Sequence, residues 1–328
     1  MIDLKHKLCL ATGGLGLLGR PLVELLKAEG AYVRVLDILP WQPDLSVAAD
    51  EYWPGDLNKD GLSTVLYGVH YVFHLAGAKG GVGIGRIKAA DFLTANLQPT
   101  INLFNGIKGN LQSEHKSIER VLFVSSVGAY SGDMQIFRED KAWDGLPHQS
   151  DFYGGMSKRF GEVLCRAYRE QFGLDYVVVR PTNCYGPFDR FDAETGMVIA
   201  ALIARLEAGE RPLILKGNPG AMRDFLYSKE CARGILLAMK NGRSGEIYNL
   251  GTGKPEPIIN IAQQLARFYG TQVKVEQSAD TSPAIRCMDM SKSKKELGFC
   301  PQSKTSDFLE ETVSWYKQNK NRVAYDPF

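Results

Sequence analysis

The chain has 328 residues, of which 44% are hydrophobic and 23% charged, and Lys+Arg 39 against Asp+Glu 37 leaves a formal charge of +2. At about 150 residues per domain this suggests two domains or one large α/β unit, and a chain this long buries roughly three quarters of its unfolded surface without help from disulfides or metal. The near-neutral balance argues against a dominant role on nucleic acid or an anionic membrane, while leaving room for a local basic patch that meets a phosphate.

No apolar run approaches the length of a membrane span, and the N-terminal Met1-Ile2-Asp3-Leu4-Lys5-His6-Lys7 lacks the order of a signal peptide. Cys9, Cys165, Cys184, Cys231, Cys287 and Cys300 form no CxxC pair and are irregularly spaced. That spacing disfavours both a disulfide framework and a zinc ribbon. The expectation is a reduced, cytoplasmic protein without a metal.

In chain order, Lys7–Ala11 reads as a short buried strand, followed by a glycine turn and a helix whose Leu17, Leu18, Leu22, Leu25 and Leu26 recur at helical spacing up to Gly30. A second strand, Ala31–Asp37, ends in an acid. Further strands are expected at His70–Leu75, Arg120–Val124 and Asp175–Arg180, with helical patterns between them at Asn96–Ile107 and Ser157–Phe172. Strands alternating with helices make parallel βαβ units, and continuously apolar strands fit a sheet covered on both faces. The predicted fold is therefore α/β, a doubly wound parallel sheet. After about residue 182 the rhythm changes. Helices are expected at Val198–Leu206, Lys229–Met239, Ile259–Phe268 and Phe308–Lys317, with a short strand at Ile247–Leu250. We read residues 1–182 as a dinucleotide-binding domain, with segments near 225–255 returning to it, and 183–328 as mainly a smaller substrate lobe.

Between the first strand and first helix stands Thr12-Gly13-Gly14-Leu15-Gly16-Leu17-Leu18-Gly19. Glycines there let the backbone turn tightly and approach a pyrophosphate, which the N–H groups of the following helix then bind. Gly13, Leu15, Gly16, Leu17, Leu18 and Gly19 are the candidate phosphate-loop contacts. Asp37, ending the next strand, is placed to accept from the ribose hydroxyls. A carboxylate there repels a 2′-phosphate, which favours NAD over NADP; Arg34 on the same strand is a weak argument the other way.

With these residues in view, the chain resembles the extended short-chain dehydrogenase/reductase superfamily, in its nucleotide-sugar epimerase, dehydratase and reductase branch. The likeness continues through Gly55-Asp56-Leu57, His74-Leu75-Ala76-Gly77-Ala78, Ser125-Ser126-Val127-Gly128-Ala129-Tyr130, Arg180-Pro181-Thr182-Asn183-Cys184-Tyr185-Gly186-Pro187, Arg223-Asp224-Phe225 and Asn249-Leu250-Gly251-Thr252-Gly253. It implies a Rossmann-type fold and cofactor contacts from Asp56, Leu57, Leu75, Ala76, Gly77, Asn96, Lys158 and Pro181. It also implies a homodimer built through the helix after Ser157, whose Phe160, Leu164 and Ala167 share an apolar face. Two stretches, Ala78-Lys79-Gly80-Gly81-Val82-Gly83 and Pro187–Asp192 continuing through Met197–Leu202, are similar to GDP-sugar enzymes of the fucose synthase and GDP-mannose epimerase type.

The shared chemistry of that branch is hydride removal from a sugar carbon, with a tyrosine as base, a lysine that lowers its pKa and binds the ribose, and a serine that holds the substrate oxygen. Ser126 and Lys158 match the last two. The branch spaces its base as Tyr-x-x-x-Lys, whereas here Tyr153 stands five residues before Lys158 and Gly154 stands four before. Two readings stay open. Either the Gly154-Gly155 pair relaxes the helix start and Tyr153 still serves as base, or proton transfer passes to another group or to water.

Ser126 is followed by Val127-Gly128, without the Asp-Glu pair of the branch's dehydratases. Gly128 and Met197 stand where fucose synthases carry an epimerising cysteine and histidine. What remains needs only the hydride site: 4-epimerisation with NAD retained, or, as an alternative, net oxidation or reduction at C4. For the substrate, a nucleotide-diphosphate sugar (GDP first, UDP or dTDP otherwise), the candidates are Lys79, Ser126, Asn183, Arg223 and Arg286, the last two because a guanidinium fork matches phosphate. His74 reads as a packed strand-end residue. The displaced tyrosine also motivates a third reading, a non-catalytic dinucleotide-sensing protein.

Overall fold

The computed structural model describes residues 1–40, 48–59, 61–81, 87–276, 284–301 and 304–320. The strands are β1 (Leu8–Thr12), β2 (Tyr32–Asp37), β3 (Glu51–Pro54), β4 (Tyr71–His74), β5 (Arg120–Val124), β6 (Ile136–Phe137), β7 (Tyr176–Pro181), β8 (Asn183–Tyr185), β9 (Leu213–Lys216), β10 (Met222–Arg223), β11 (Phe225–Tyr227), β12 (Ile247–Leu250), β13 (Glu256–Pro257), β14 (Val273–Glu276) and β15 (Ile285–Met288). The helices are α1 (Gly19–Ala28), α2 (Leu62–Val65), α3 (Ala89–Leu111), α4 (Phe152–Phe172), α5 (Val198–Glu207), α6 (Ser228–Asn241), α7 (Ile258–Phe268) and α8 (Leu309–Asn319), with short 3-10 and π turns between them.

Seven strands form one sheet in the order β12-β7-β5-β4-β1-β2-β3, every neighbour parallel. The strand side chains alternate between two cores, as the pleat requires. On one face Cys9, Ala11, Leu122 and Val177 pack with Leu22, Val23 and Leu26 of α1 and Ile235, Leu236 and Met239 of α6. On the other, Leu10, Val121, Phe123 and Val178 pack with Leu103, Phe104 and Ile107 of α3 and Cys165 of α4. This is the doubly wound α/β architecture expected from the alternation of elements. β12 and α6 lie late in the chain yet complete this sheet and its cover.

A second sheet, β13-β10-β15-β6, and the pairs β11-β8 and β14-β9 form the other part. Its core joins Ile199, Leu202 and Ile203 of α5 to Ile261 and Leu265 of α7 and Leu309 and Val313 of α8. β6, from the first half of the chain, pairs with β15 because Phe137 stacks on Tyr130 and is fully buried with Met288. Five cysteines are buried, Cys300 is exposed and none of the six forms a disulfide. No helix among the described residues is long and apolar enough to cross a membrane.

A buried charged network ties α4 to the sheet. Glu162 binds Arg180 through both carboxylate oxygens, at 2.8 Å to Nε and 2.7 Å to Nη2, and accepts from Ser125 Oγ at 2.5 Å. Arg180 Nη1 donates to Tyr130 Oη, and Tyr130 in turn donates to Asn249 Oδ1 at 2.5 Å. Removing one partner of such a pair leaves a buried charge without compensation, which costs about 3–5 kcal/mol. Glu162→Ala is therefore expected to lower unfolding stability by that amount in urea titrations, with the slope of the transition unchanged.

Candidate active site

The glycine loop leaves β1 and enters α1 without any side-chain cap; Leu18 occupies the cap position and the first turn holds no acid. Arg20 N already donates to Gly16 O at 3.1 Å and Pro21 has no N–H, so Gly19 N is the group in this first turn left for an external anion. Gly13 has φ +72, and a β-carbon there would come within 2.9 Å of the Ala76 nitrogen, so the loop is pressed against the end of β4. A β-carbon on Gly16 would meet nothing closer than Gly13 O at 3.5 Å, so this residue faces open space. Such a cradle fits a pyrophosphate. Leu15 N donates to Asp37 Oδ2 at 2.8 Å and Leu39 N to Asp37 Oδ1 at 2.9 Å. Burial pushes the Asp37 carboxyl up, opposed by these hydrogen bonds and by Arg20. Asp37 is thereby fixed beside the loop, with its remaining lone pairs available to ribose hydroxyls. Arg34 is committed elsewhere, to Glu51 and the carbonyls of Val65 and Tyr67.

Asp56 and Leu57 follow β3; Leu57 is buried and its carbonyl accepts from Asn102. Leu75, Ala76 and Gly77 continue β4, and Thr12 Oγ1 accepts from Ala76 N and meets His74 Nδ1. His74 is fully buried, which drives its pKa down to about 3, so it is a neutral packed residue. Pro181 ends β7, beside Leu250.

At Gly77 three elements converge. A β-carbon there would lie 2.7 Å from Asn96 Oδ1 and 3.5 Å from Lys158 Nζ. Asn96 is held by Phe92 O and Ala78 O. Lys158 Nζ donates to Val124 O at 3.0 Å, and burial lowers its pKa to about 8. Two residues beyond Val124, Ser126 Oγ accepts from Gly128 N at 3.1 Å, so its own hydrogen is left to donate outward.

The relaxed helix start that would bring Tyr153 to the site is not found. α4 is helical from Phe152, and five residues at about 100° each place Tyr153 about 140° round the axis from Lys158. Its ring packs edge-on against Phe152 and the residue is 38% exposed. Gly155 sets this register, since a β-carbon on it would lie 2.1 Å from Gly128 O. Gly154 therefore stands one turn before Lys158, with Phe92 over it, 3.0 Å from where a β-carbon would be.

Among the substrate candidates, Arg223 and Arg286 are register partners in β10 and β15, and Asn183 Nδ2 donates to Asp224 O at 2.9 Å. Arg286 Nη1 is 2.7 Å from Asp151 Oδ2, while its Nε and Nη2 are buried without a hydrogen-bond partner among the described residues. Lys79 stands apart from these. It forms an ion pair with Asp189 at 2.6 Å, the Asp189 side chain being 1% exposed, and donates to Cys184 O. Lys79 is thus spent on joining the loop after β4 to the substrate lobe. Val82 and Gly83 of the glycine-rich stretch lie outside the described residues. Asp151, Asp189, Phe92 and Glu162 escaped the sequence reading; Asp151 directly precedes the helix as it is found, but that helix was expected only from Ser157.

The sequence profile of the NAD dependent epimerase/dehydratase family matches residues 9–251. The chain belongs to that family. Its members use NAD. This member is 27% identical over 323 residues to a dTDP-4-dehydro-6-deoxy-D-allose reductase from Streptomyces sp, covering 95% of this chain and 96% of that one. It is 29% identical to a UDP-glucuronate 4-epimerase from Thermodesulfobacterium geofontis, covering 94% and 96%. The dTDP-glucose 4,6-dehydratase of Streptomyces venezuelae, solved with NAD bound, superposes with a TM-score of 0.80 at 27% identity, covering 96% of this chain and 98% of that one.

Two outcomes test this site. Gly13→Ala is expected to weaken NAD binding at least tenfold by calorimetry, because the loop must leave its seat on Ala76. Lys158 supplies a pH signature in the cofactor-free protein. Between about 8 and its ordinary 10.5 the unfolded chain binds a proton that the folded chain does not, so this group makes stability rise with pH. Urea titrations at both ends of that window should show the contribution in the wild type and lack it in Lys158→Met.

Proposed function

We propose that this member is a nucleotide-sugar epimerase that oxidises and re-reduces the sugar at C4. The observation that carries the reading is the empty position at Gly128: beside Ser126 and Lys158 there is a hydride site, but the turn itself presents no acid or base for elimination or for inversion next to a ketone. When bound, NAD supplies the hydride acceptor. Ser126 donates to the substrate oxygen, with its lone pair already occupied by Gly128 N. Lys158 holds the cofactor ribose, and Asn183, Arg223 and Arg286 meet the diphosphate. An Asp37 gripped by the phosphate loop suits a cofactor that is retained and recycled.

The second reading, net reduction or oxidation at C4, is favoured by the likeness to a reductase along 95% of the chain. GDP is the first nucleotide to test, from the sequence likeness around Lys79 and Pro187, followed by UDP and dTDP. We also propose a cytoplasmic homodimer. Tyr153, Phe160 and Val163 leave an exposed apolar stripe on α4, the latter two 42% and 48% exposed, at the three- and seven-residue spacings that share a helix face.

The test is incubation of the purified protein with NAD and a panel of GDP-, UDP- and dTDP-sugars. Epimerised product without net NADH supports the proposal, net NADH change supports the second reading, and cofactor binding without turnover supports a sensing protein. Tyr153→Phe is expected to keep more than a third of wild-type turnover, since the phenol lies on the outer face of α4.

A further inference from the structure

The register of α4 turns the Tyr153 phenol away from Lys158, and Asp151 stands at the head of the same helix. Asp151 sits at the cap position of α4, where a carboxylate ordinarily accepts from the first free N–H groups of the helix. It makes no such bond. Its side chain turns away, so that Oδ2 pairs with Arg286 Nη1 at 2.7 Å while Oδ1 has no hydrogen-bond partner among the described residues. The space above Gly128, where a β-carbon would stand, is bordered by Ser126 Oγ at 3.6 Å and by the Asp151 β-carbon at 3.7 Å. Asp151 also precedes Lys158 by seven residues, almost two full turns, and Gly154 between them interposes no side chain. Asp151, its side chain 28% exposed, thus borders through its β-carbon the same space as Ser126 Oγ, within reach of a side chain one carboxyl group longer.

We propose that Asp151 is the catalytic proton acceptor of this site, in place of the tyrosine. The proposal rests on the nucleotide-sugar reading above. In the forward half-reaction the hydroxyl hydrogen of the sugar carbon passes as a proton to Asp151 Oδ1, and the O–H bonding pair becomes the second bond of the carbonyl. The hydrogen on that carbon leaves with its electron pair to the oxidised nicotinamide dinucleotide, so the sugar is oxidised and the dinucleotide reduced. In the return half-reaction Asp151 gives the proton back to the alcohol oxygen. Arg286 holds Asp151 Oδ2 and leaves Oδ1 to the substrate, and its two buried nitrogens without a hydrogen-bond partner among the described residues are available to an anionic part of the substrate.

The experiment compares Asp151→Asn, Asp151→Ala and Tyr153→Phe with the wild type in the full-length protein. Each is measured by calorimetric affinity for NAD and for whichever panel nucleotide sugar binds best, by absorbance of reduced cofactor at about 340 nm after substrate is added, and by kcat and KM. The expected result for Asp151→Asn is affinity for both ligands within about threefold of wild type, with turnover slowed by about two to four orders of magnitude, the range of a lost general base. Added formate should restore part of the cofactor reduction in Asp151→Ala and none in Asp151→Asn, which a merely structural role would not do. The proposal is overturned if Asp151→Asn keeps turnover within threefold of wild type, if its effect is confined to KM and substrate affinity, if its loss of activity accompanies loss of NAD binding and formate rescues nothing, or if Tyr153→Phe is the variant that loses turnover. Wild-type protein that binds a nucleotide sugar without reducing its cofactor overturns it as well. A wild type that binds no nucleotide sugar at all is a different result, and defeats the substrate reading on which the proposal stands.

Discussion

The contact between Gly155 and the carbonyl of Gly128 is the constraint on which the rest of the site depends. It presses the first turn of α4 against the turn after β5, so closely that any side chain at 155 would overlap backbone. Once that contact is made, the rotation of the helix is no longer free. Lys158 points inward to Val124 O, Gly154 falls beneath Phe92, and Tyr153 is turned outward. A one-residue change in length on the N-terminal side of this contact thus moves a side chain from one face of the helix to another, whereas everything C-terminal to it keeps its place.

Electrostatics hold the arrangement in this register. Glu162, one turn beyond Lys158, satisfies Arg180 and Ser125 in a dry interior, and Arg159 donates to the carbonyls of Ala129, Ala142 and Gly145. Helix α4 is therefore fastened to the end of β5, to β7 and to the segments on both sides of β6. The depressed basicity of Lys158 follows from the same enclosure: burial disfavours its charge more than Glu162 restores it. The Lys158 amine and the Asn96 amide are thus both held in place around Gly77.

Much of this was legible in the residues themselves. The sheet announced itself because five of its strands are short unbroken apolar runs separated by helical spacing, and the glycine loop and Asp37 are local signals whose meaning is fixed by their position after β1 and β2. β3 was missed because Glu51-Tyr52-Trp53-Pro54 is a polar, Pro-ended edge strand. α4 was expected only from Ser157, since two glycines ahead of it look like a helix breaker; their packing against Gly128 and beneath Phe92 outweighs their poor propensity. The small strands of the second lobe, two to four residues each, carry too little periodicity to be read. The fate of Lys79 was invisible for a different reason. Its partner Asp189 lies 110 residues away, and only the folded chain brings them within reach.

β12 has a consequence of its own. The chain passes through the sheet at β7, departs at β8, comes back at α6 and β12, and departs again at β13. The two parts are consequently joined by several peptide crossings instead of one tether, and the Lys79–Asp189 pair adds a further tie between them. A displacement of one part against the other would strain all of these crossings together, which a single tether would not require.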